Sequence, residues 1–204
     1  MFVHELKHNL GKHFLTQLRS KDTTRVQFRH CGNGLGRLLF AEATRDLAID
    51  TVDCESPLNV CDGYRVQSPV FIPILRAGFA LLEVGFEFFP EASVSVLGVQ
   101  RDEETAQPVF YYQKFTELKD KDVFILEPML ATGGTLKIGL GAIEKYQPKS
   151  ISIISFVAAP EGIECLKDFS ANLYLASIDE GLNDKKYIVP GLGDFGDRWF
   201  GSTK

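Results

Sequence analysis

The feature that most constrains this chain is a train of short, near-continuous apolar runs beginning at residue 69. Pro69–Leu75, Val94–Val99, Asp122–Leu126, Ile151–Ala158 and Leu173–Ala176 are rich in Val, Ile and Phe. Most lack the apolar–polar alternation of a half-buried strand, so they suit strands covered on both faces. Between them lie stretches of helical character at Ala77–Phe89, Thr135–Tyr146 and Pro160–Phe169. Strand alternating with helix implies βαβ units, right-handed crossovers and a mainly parallel sheet flanked by helices, an α/β fold. Ligands of such a sheet bind beyond the carboxyl ends of its strands. The loops after Leu75, Val99, Leu126 and Ala158 are therefore where chemistry is to be sought.

The first third of the chain reads differently. Lys12–Arg19 and Thr24–Leu47 carry apolar residues at helical spacing. Gly32, Gly34 and Gly36 each weaken the second helix by up to about 1 kcal/mol relative to Ala, so a break is expected there. Cys54–Ser68, polar and holding Pro57 and Gly63, reads as irregular or a short hairpin. We take residues 1–204 as one domain with an N-terminal helical arm over about 1–50. A chain of 204 residues buries enough surface to need no disulfide or metal staple. Cys31, Cys54, Cys61 and Cys165 form no C-x-x-C pair and have no partnering His at zinc-module spacing, so buried free thiols are expected. His4, His8, His13 and His30 lie away from the strand tips and read as surface or packing residues. Asp179 and Glu180 read as a solvated loop.

Several functions are disfavoured. The net charge is -5, and there is no basic run beyond Lys185–Lys186, which argues against nucleic-acid binding. No stretch approaches the roughly 20 apolar residues of a membrane helix. Met1–Lys12 has no apolar secretory core, so a cytoplasmic protein is expected.

The strand tips carry the candidate chemistry. In DVFILEPMLATGGT (Asp122–Thr135) an apolar strand ends in an acid, Glu127, and Ala131–Thr135 then opens a helix. Glycines let the free N–H groups of a helix N-terminus approach an anion, and the helix dipole favours a phosphate there. Thr132 and Thr135 add hydroxyl donors. A carboxylate at the strand tip can accept both hydrogens of a ribose cis-diol, so acid and cradle together suit a ribose 5-phosphate. Neither the P-loop nor the dinucleotide fingerprint is present. In PILRAG (Pro73–Gly78), Arg76 ends another strand and can reach a phosphate with a two-pronged hydrogen bond. Gly98–Lys114, which includes Arg101, is polar and long enough for an active-site flap. The tail Tyr187–Lys204 is glycine-rich yet apolar and holds the single Trp. It is expected to fold back and offer main-chain groups to the edge of a flat, amide-bearing ring.

These stretches resemble the uracil phosphoribosyltransferases, a branch of the type I phosphoribosyltransferases. The resemblance runs through EATRDL (Glu42–Leu47), PILRAG, RDEET (Arg101–Thr105) and PMLATGGT (Pro128–Thr135). It continues through AAPEGIE (Ala158–Glu164), YIVPGLGD (Tyr187–Asp194) and GDRWFG (Gly196–Gly201). It implies the type I fold with a flap hairpin and a C-terminal base-binding hood. It also implies transfer of ribose 5-phosphate from phosphoribosyl pyrophosphate to uracil, giving UMP. By motif, Pro128, Met129, Leu130, Ala131, Thr132, Gly133, Gly134 and Thr135 would bind phosphoribosyl pyrophosphate, with Glu127 on the ribose hydroxyls. Arg76, Arg101 and Asp194 would be the catalytic residues, the two arginines on the pyrophosphate and Asp194 near sugar and base. Ile188, Gly193, Asp194 and Phe195 would hold uracil. The resemblance further implies Mg²⁺ bound mainly through the substrate diphosphate, a homodimer or homotetramer, and a possible GTP effector.

The sequence also departs from the family pattern. Glu127 stands where Asp is usual, Phe195 where Ala is usual, and Gln100 where Tyr is usual. A phenyl ring at 195 is expected to narrow the base pocket or stack on the base. These departures leave open an altered base preference or a weakly active, nucleotide-binding regulatory role.

Overall fold

The apolar runs do receive cover on both faces. In a computed structural model that describes residues 1–101 and 108–202, the side chain of Arg101 apart, the chain begins with β1 (Phe2–Glu5), α1 (Asn9–Arg19) and α2 (Arg25–Ala43). Next come β2 (Ile49–Glu55), β3 (Val60–Val66), β4 (Val70–Leu75), α3 (Phe79–Phe88), β5 (Ser93–Val94), β6 (Val96–Arg101) and β7 (Pro108–Lys114). They are followed by β8 (Asp122–Leu126), β9 (Met129–Leu130), α4 (Gly134–Ile143), β10 (Ser150–Ala158), α5 (Pro160–Cys165) and β11 (Asn172–Ile178). The chain closes with β12 (Gly181–Leu182), β13 (Ile188–Val189) and α6 (Phe195–Phe200).

The main sheet runs β1-β11-β10-β8-β4-β6-β7, with β5 beside β4 and β9 beside β10. Its pairings are parallel except β6 with β7, an antiparallel pair with a register shift at Gly98–Val99. This is the expected α/β architecture, and β6–β7 supply the two strands of the flap hairpin. Asp102–Gln107, which include most of the RDEET stretch, lie outside the described residues.

Side chains along each central strand divide between two cores. Phe71, Phe124, Phe156 and Tyr174 face α1, α2 and α3, together with Leu35, Leu39 and Phe40. Ile72, Val123, Ile125, Ile153 and Leu173 face α4, with Leu136, Leu140 and Ile143. The first core is aromatic: Phe71 meets Phe40 and Phe124 edge-on at ring-centroid distances of 5.7 and 6.2 Å.

Helix α2 crosses its three glycines without a break. Thr24 and Gln27 start it with a reciprocal capping box. The glycines act as notches for neighbours. A Cβ at Gly32 would lie 2.5 Å from the Trp199 ring, one at Gly34 2.7 Å from Phe14, and one at Gly36 3.3 Å from Leu81 and Val84. Tertiary packing outweighs the propensity loss.

Other expectations are corrected. α2 ends at Ala43 rather than Leu47, and α5 is shorter than Pro160–Phe169. β1 pairs in parallel with β11, a strand inside the arm that read as helical. Of the two readings of Cys54–Ser68 the hairpin holds, though it starts earlier: in β2–β3, Ile49–Glu55 pairs with Val60–Val66. Of the four free thiols only Cys31 is buried; Cys54 and Cys61 are exposed and Cys165 is intermediate. Among the described residues, no helix is long and apolar enough to cross a membrane.

The notch reading predicts opposite effects from one substitution at two helical glycines. Gly32→Ala drives a methyl into Trp199 and should lower stability by about 1–3 kcal/mol in urea unfolding. Gly141→Ala in α4, where a Cβ meets nothing within 4 Å, should raise it by up to about 1 kcal/mol.

Candidate active site

The parallel strands bring the motif loops to one end of the sheet. β8 stops where Glu127 and Pro128 leave the ladder. The Pro128 carbonyl then accepts from the N–H groups of Phe156 and Val157, at 2.9 and 3.3 Å, which sets β9 against β10. The chain turns through Ala131–Gly133 into α4. Gly133 sits in the left-handed region at φ 79, and a Cβ there would lie 2.9 Å from both the Gly162 carbonyl and Cys165 Cβ. Only glycine meets both demands. The N-cap residue of α4 is Gly133, which has no side chain to cap with, and the Gly134 N–H makes one long bond, to Thr132 Oγ1 at 3.5 Å. Free N–H groups at a helix N-terminus can receive an anion. Glu127, Met129, Leu130, Ala131, Thr132, Gly133 and Thr135 line a cavity of about 240 Å³ here. Pro128 and Gly134 do not line it.

Glu127 is held in an unusual state. Burial pushes its carboxyl up to about 8, against a hydrogen bond from the Met129 backbone that works to lower it. The ribose-binding acid proposed from sequence is therefore largely protonated in the free site at neutral pH.

A second cavity, of about 260 Å³, abuts the first. Ala77, Tyr187, Ile188, Gly193, Asp194, Phe195 and Gly196 line it, and it shares Met129, Ala131 and Lys186 with its neighbour. Lys186 has no motif to announce it. Its backbone is left-handed, at φ 64, and its chain borders both cavities.

The hood over this second cavity hangs on residues that sequence reasoning passed over. Asp179, at the end of β11, is buried. It accepts two hydrogen bonds from Arg19, at 2.5 and 2.8 Å, one from Ser177 Oγ at 2.9 Å, and one from the Gly191 N–H at 2.9 Å. Arg19 also donates to the Gly191 carbonyl at 3.0 Å. The solvated loop expected at Asp179 is thus a buried joint. Burial works to raise its carboxyl, but the bonds from Arg19, Gly191 and Ser177 outweigh it and hold the group below its ordinary value. Arg198 completes the fastening. It donates to the carbonyls of Leu18, Leu192 and Ser20 and lies 4.1 Å from the Phe28 ring centroid. A guanidinium suits the carbonyl end of α1.

The remaining candidates are spread around this pair of cavities. Asp194 caps α6, accepting from the Asp197 N–H at 2.9 Å. Arg76 lines neither cavity. It reaches across to the hood, 3.0 Å from Ser202 Oγ and 3.5 Å from Asp197. The side chain of Arg101 lies outside the described residues. Phe195 borders the second cavity, but its ring is buried against Phe28, Phe156 and Trp199, at centroid distances of 5.4, 5.5 and 5.4 Å. The ring faces the core, so the expected stacking on a base is corrected. Two larger cavities, of about 610 and 690 Å³, open at the opposite end of the sheet and touch none of the motif residues.

The family model for uracil phosphoribosyltransferase matches residues 5–202. The chain belongs to this family. A uracil phosphoribosyltransferase of Mycoplasma genitalium is 42% identical over 204 residues, 98% of this chain and 99% of that one. One from Malacoplasma penetrans is 44% identical over 199 residues, 96% of this chain and 97% of the other. A solved structure from Aquifex aeolicus superposes with a TM-score of 0.93 at 38% identity, covering 99% of both chains. A hypoxanthine-guanine phosphoribosyltransferase from Bacillus anthracis shares the fold at a TM-score of 0.55 and 14% identity, over 76% of this chain and 80% of that one. The type I fold read from sequence is therefore the fold of this family member.

Two measurements probe the site's electrostatics. An acid whose folded value lies above its free one weakens the fold as pH rises between the two. Glu127→Gln should therefore gain stability on the parent progressively from pH 5 to 8, in thermal unfolding across that range. Asp179 has the opposite sign: its contribution is present at neutral pH and is lost as pH falls below about 4. Asp179→Asn leaves Arg19 without its counter-charge and should cost about 3 kcal/mol in urea unfolding at pH 7.

Proposed function

We propose that the protein transfers ribose 5-phosphate from phosphoribosyl pyrophosphate to N1 of uracil, giving UMP and pyrophosphate. The observation that carries this reading is the shared wall. A helix N-terminus opened by Gly133, beside an acid, and a glycine-rich hood line two abutting cavities that share Met129, Ala131 and Lys186.

In this reading the N–H groups and hydroxyls of Ala131–Thr135 take the 5-phosphate, and Glu127 takes the ribose hydroxyls. Those hydroxyls donate best to a carboxylate, so sugar binding favours release of the Glu127 proton. Ile188, Gly193, Asp194 and the main chain of Phe195 face the base. Arg76, withdrawn from its weak contact with Asp197, and Arg101 meet the departing pyrophosphate. The leaving group parts before the base is fully bonded, so positive charge grows on the sugar. Catalysis is then alignment of base and sugar with stabilisation of a departing anion. No protein nucleophile is needed. Closure of the β6–β7 hairpin would exclude water from the sugar cation.

Among the described residues, no group of three His, Cys, Asp or Glu side chains could hold a metal ion. The diphosphate would bring Mg²⁺ held by its own oxygens and water, which supplies neutralisation of the leaving group. The same reading takes in a cytoplasmic setting, a homodimer or homotetramer, and control by GTP.

The deciding assay mixes the protein with phosphoribosyl pyrophosphate, Mg²⁺ and one of uracil, cytosine, hypoxanthine or adenine. UMP and pyrophosphate should appear in equal amounts with uracil and with no other base. Product from another base, or pyrophosphate release without UMP, would overturn the proposal.

A further inference from the structure

The β2–β3 hairpin stands apart from the rest of the molecule. It forms a two-stranded sheet that pairs with no other strand among the described residues. Every residue of each strand is exposed except the central one, Val52 or Gly63. A lone two-stranded ribbon is marginal in water unless something fastens it. The tip is fastened by Ser56, whose hydroxyl donates to the Asn59 carbonyl at 2.6 Å and accepts from the Asn59 N–H at 3.1 Å.

Two residues from that tip, Cys54 and Cys61 sit directly opposite each other in the antiparallel register. Both are free and exposed, and Cys61 Sγ lies 3.6 Å from the Cys54 carbonyl oxygen. Opposed residues of an antiparallel ladder share a face, with Cα atoms about 4.5–5.5 Å apart. A disulfide spans about 4.4–6.8 Å between Cα atoms, so the ladder already holds the required spacing. The next pair on the same face is Val52 and Gly63. A Cβ at Gly63 would come within 3.0 Å of Cys54 Cβ, so glycine leaves the space beside that thiol clear. The proposed transfer reaction uses neither cysteine.

We propose that Cys54 and Cys61 form a dithiol modification site that closes to an intrachain disulfide by exchange with a small-molecule disulfide. One thiol loses its proton and attacks the small disulfide, forming a mixed disulfide and releasing one small thiol. The second thiolate attacks the protein sulfur of that mixed disulfide and releases the other. The two cysteines are oxidised, the reagent is reduced to two thiols, and the protein loses two hydrogens. The facing thiols make the second step intramolecular, so the mixed disulfide does not persist.

The test treats the folded, full-length protein with oxidised glutathione and then digests it with trypsin. Cleavage after Arg45 and Arg65 yields one peptide, residues 46–65, that holds both cysteines and neither Cys31 nor Cys165. The expected result is a loss of two hydrogens in that peptide, reversed by dithiothreitol. Cys54→Ser and Cys61→Ser should each retain a single glutathione instead. Reduced protein should also bind one equivalent of phenylarsine oxide, which needs two thiols, and either variant should lose that binding. Glutathione on the wild-type peptide without the two-hydrogen loss, or a disulfide between two copies of the chain, would overturn the proposal. Arsenical binding that survives in both variants would do the same.

Discussion

The candidate site depends on one joint, the pairing of Arg19 with Asp179. Arg19 ends the first helix, Asp179 ends a central strand, and both bond to Gly191 in the hood. Three separate pieces of chain therefore share one charge pair, with Asp179 buried and Arg19 partly so. Its worth is less in net stability than in fixing where each piece must sit, because either charge left alone in that place is costly. Arg198 repeats the logic a few residues on, spending its donors on carbonyls of the first helix and the hood. These two arginines tie the glycine-rich segment that lines the second cavity to the first helix and the end of β11.

Much of the architecture was legible because its causes are local. Strands β4, β8, β10 and β11 announced themselves as unbroken apolar runs, since both of their faces are covered. The phosphate loop was legible because a tight turn into a helix demands glycine at Gly133 and leaves donors free at its own end. What escaped had distant or absent causes. Asp179 looks like an ordinary loop acid until Arg19, 160 residues away, is placed beside it. The glycines of α2 look like helix breakers until Trp199 fills one of the notches they leave. The β2–β3 hairpin carries no period because neither face is buried. The direction of Phe195 could not be read either, as a glycine-rich segment has no period to show which way a large side chain points.

The two abutting cavities place opposite electrostatic demands on a small space. The phosphate side offers free N–H groups and the positive end of a helix. Beside it stands Glu127, whose carboxyl burial pushes up to about 8. In the proposed reaction a charged acid in the empty site would repel a phosphorylated ligand, and a carboxyl that keeps its proton until sugar hydroxyls arrive would remove that conflict; such perturbed groups are common at functional sites.

The notch at Gly32 has a bearing on how the protein is made. The ring that fills it belongs to Trp199, so the groove in α2 emerges from the ribosome long before its occupant. Until then the aromatic core lies open at that point and the hood has no floor to rest on. Completion of the second cavity is thereby coupled to synthesis of α6, which adds Phe195 and Gly196 to its lining.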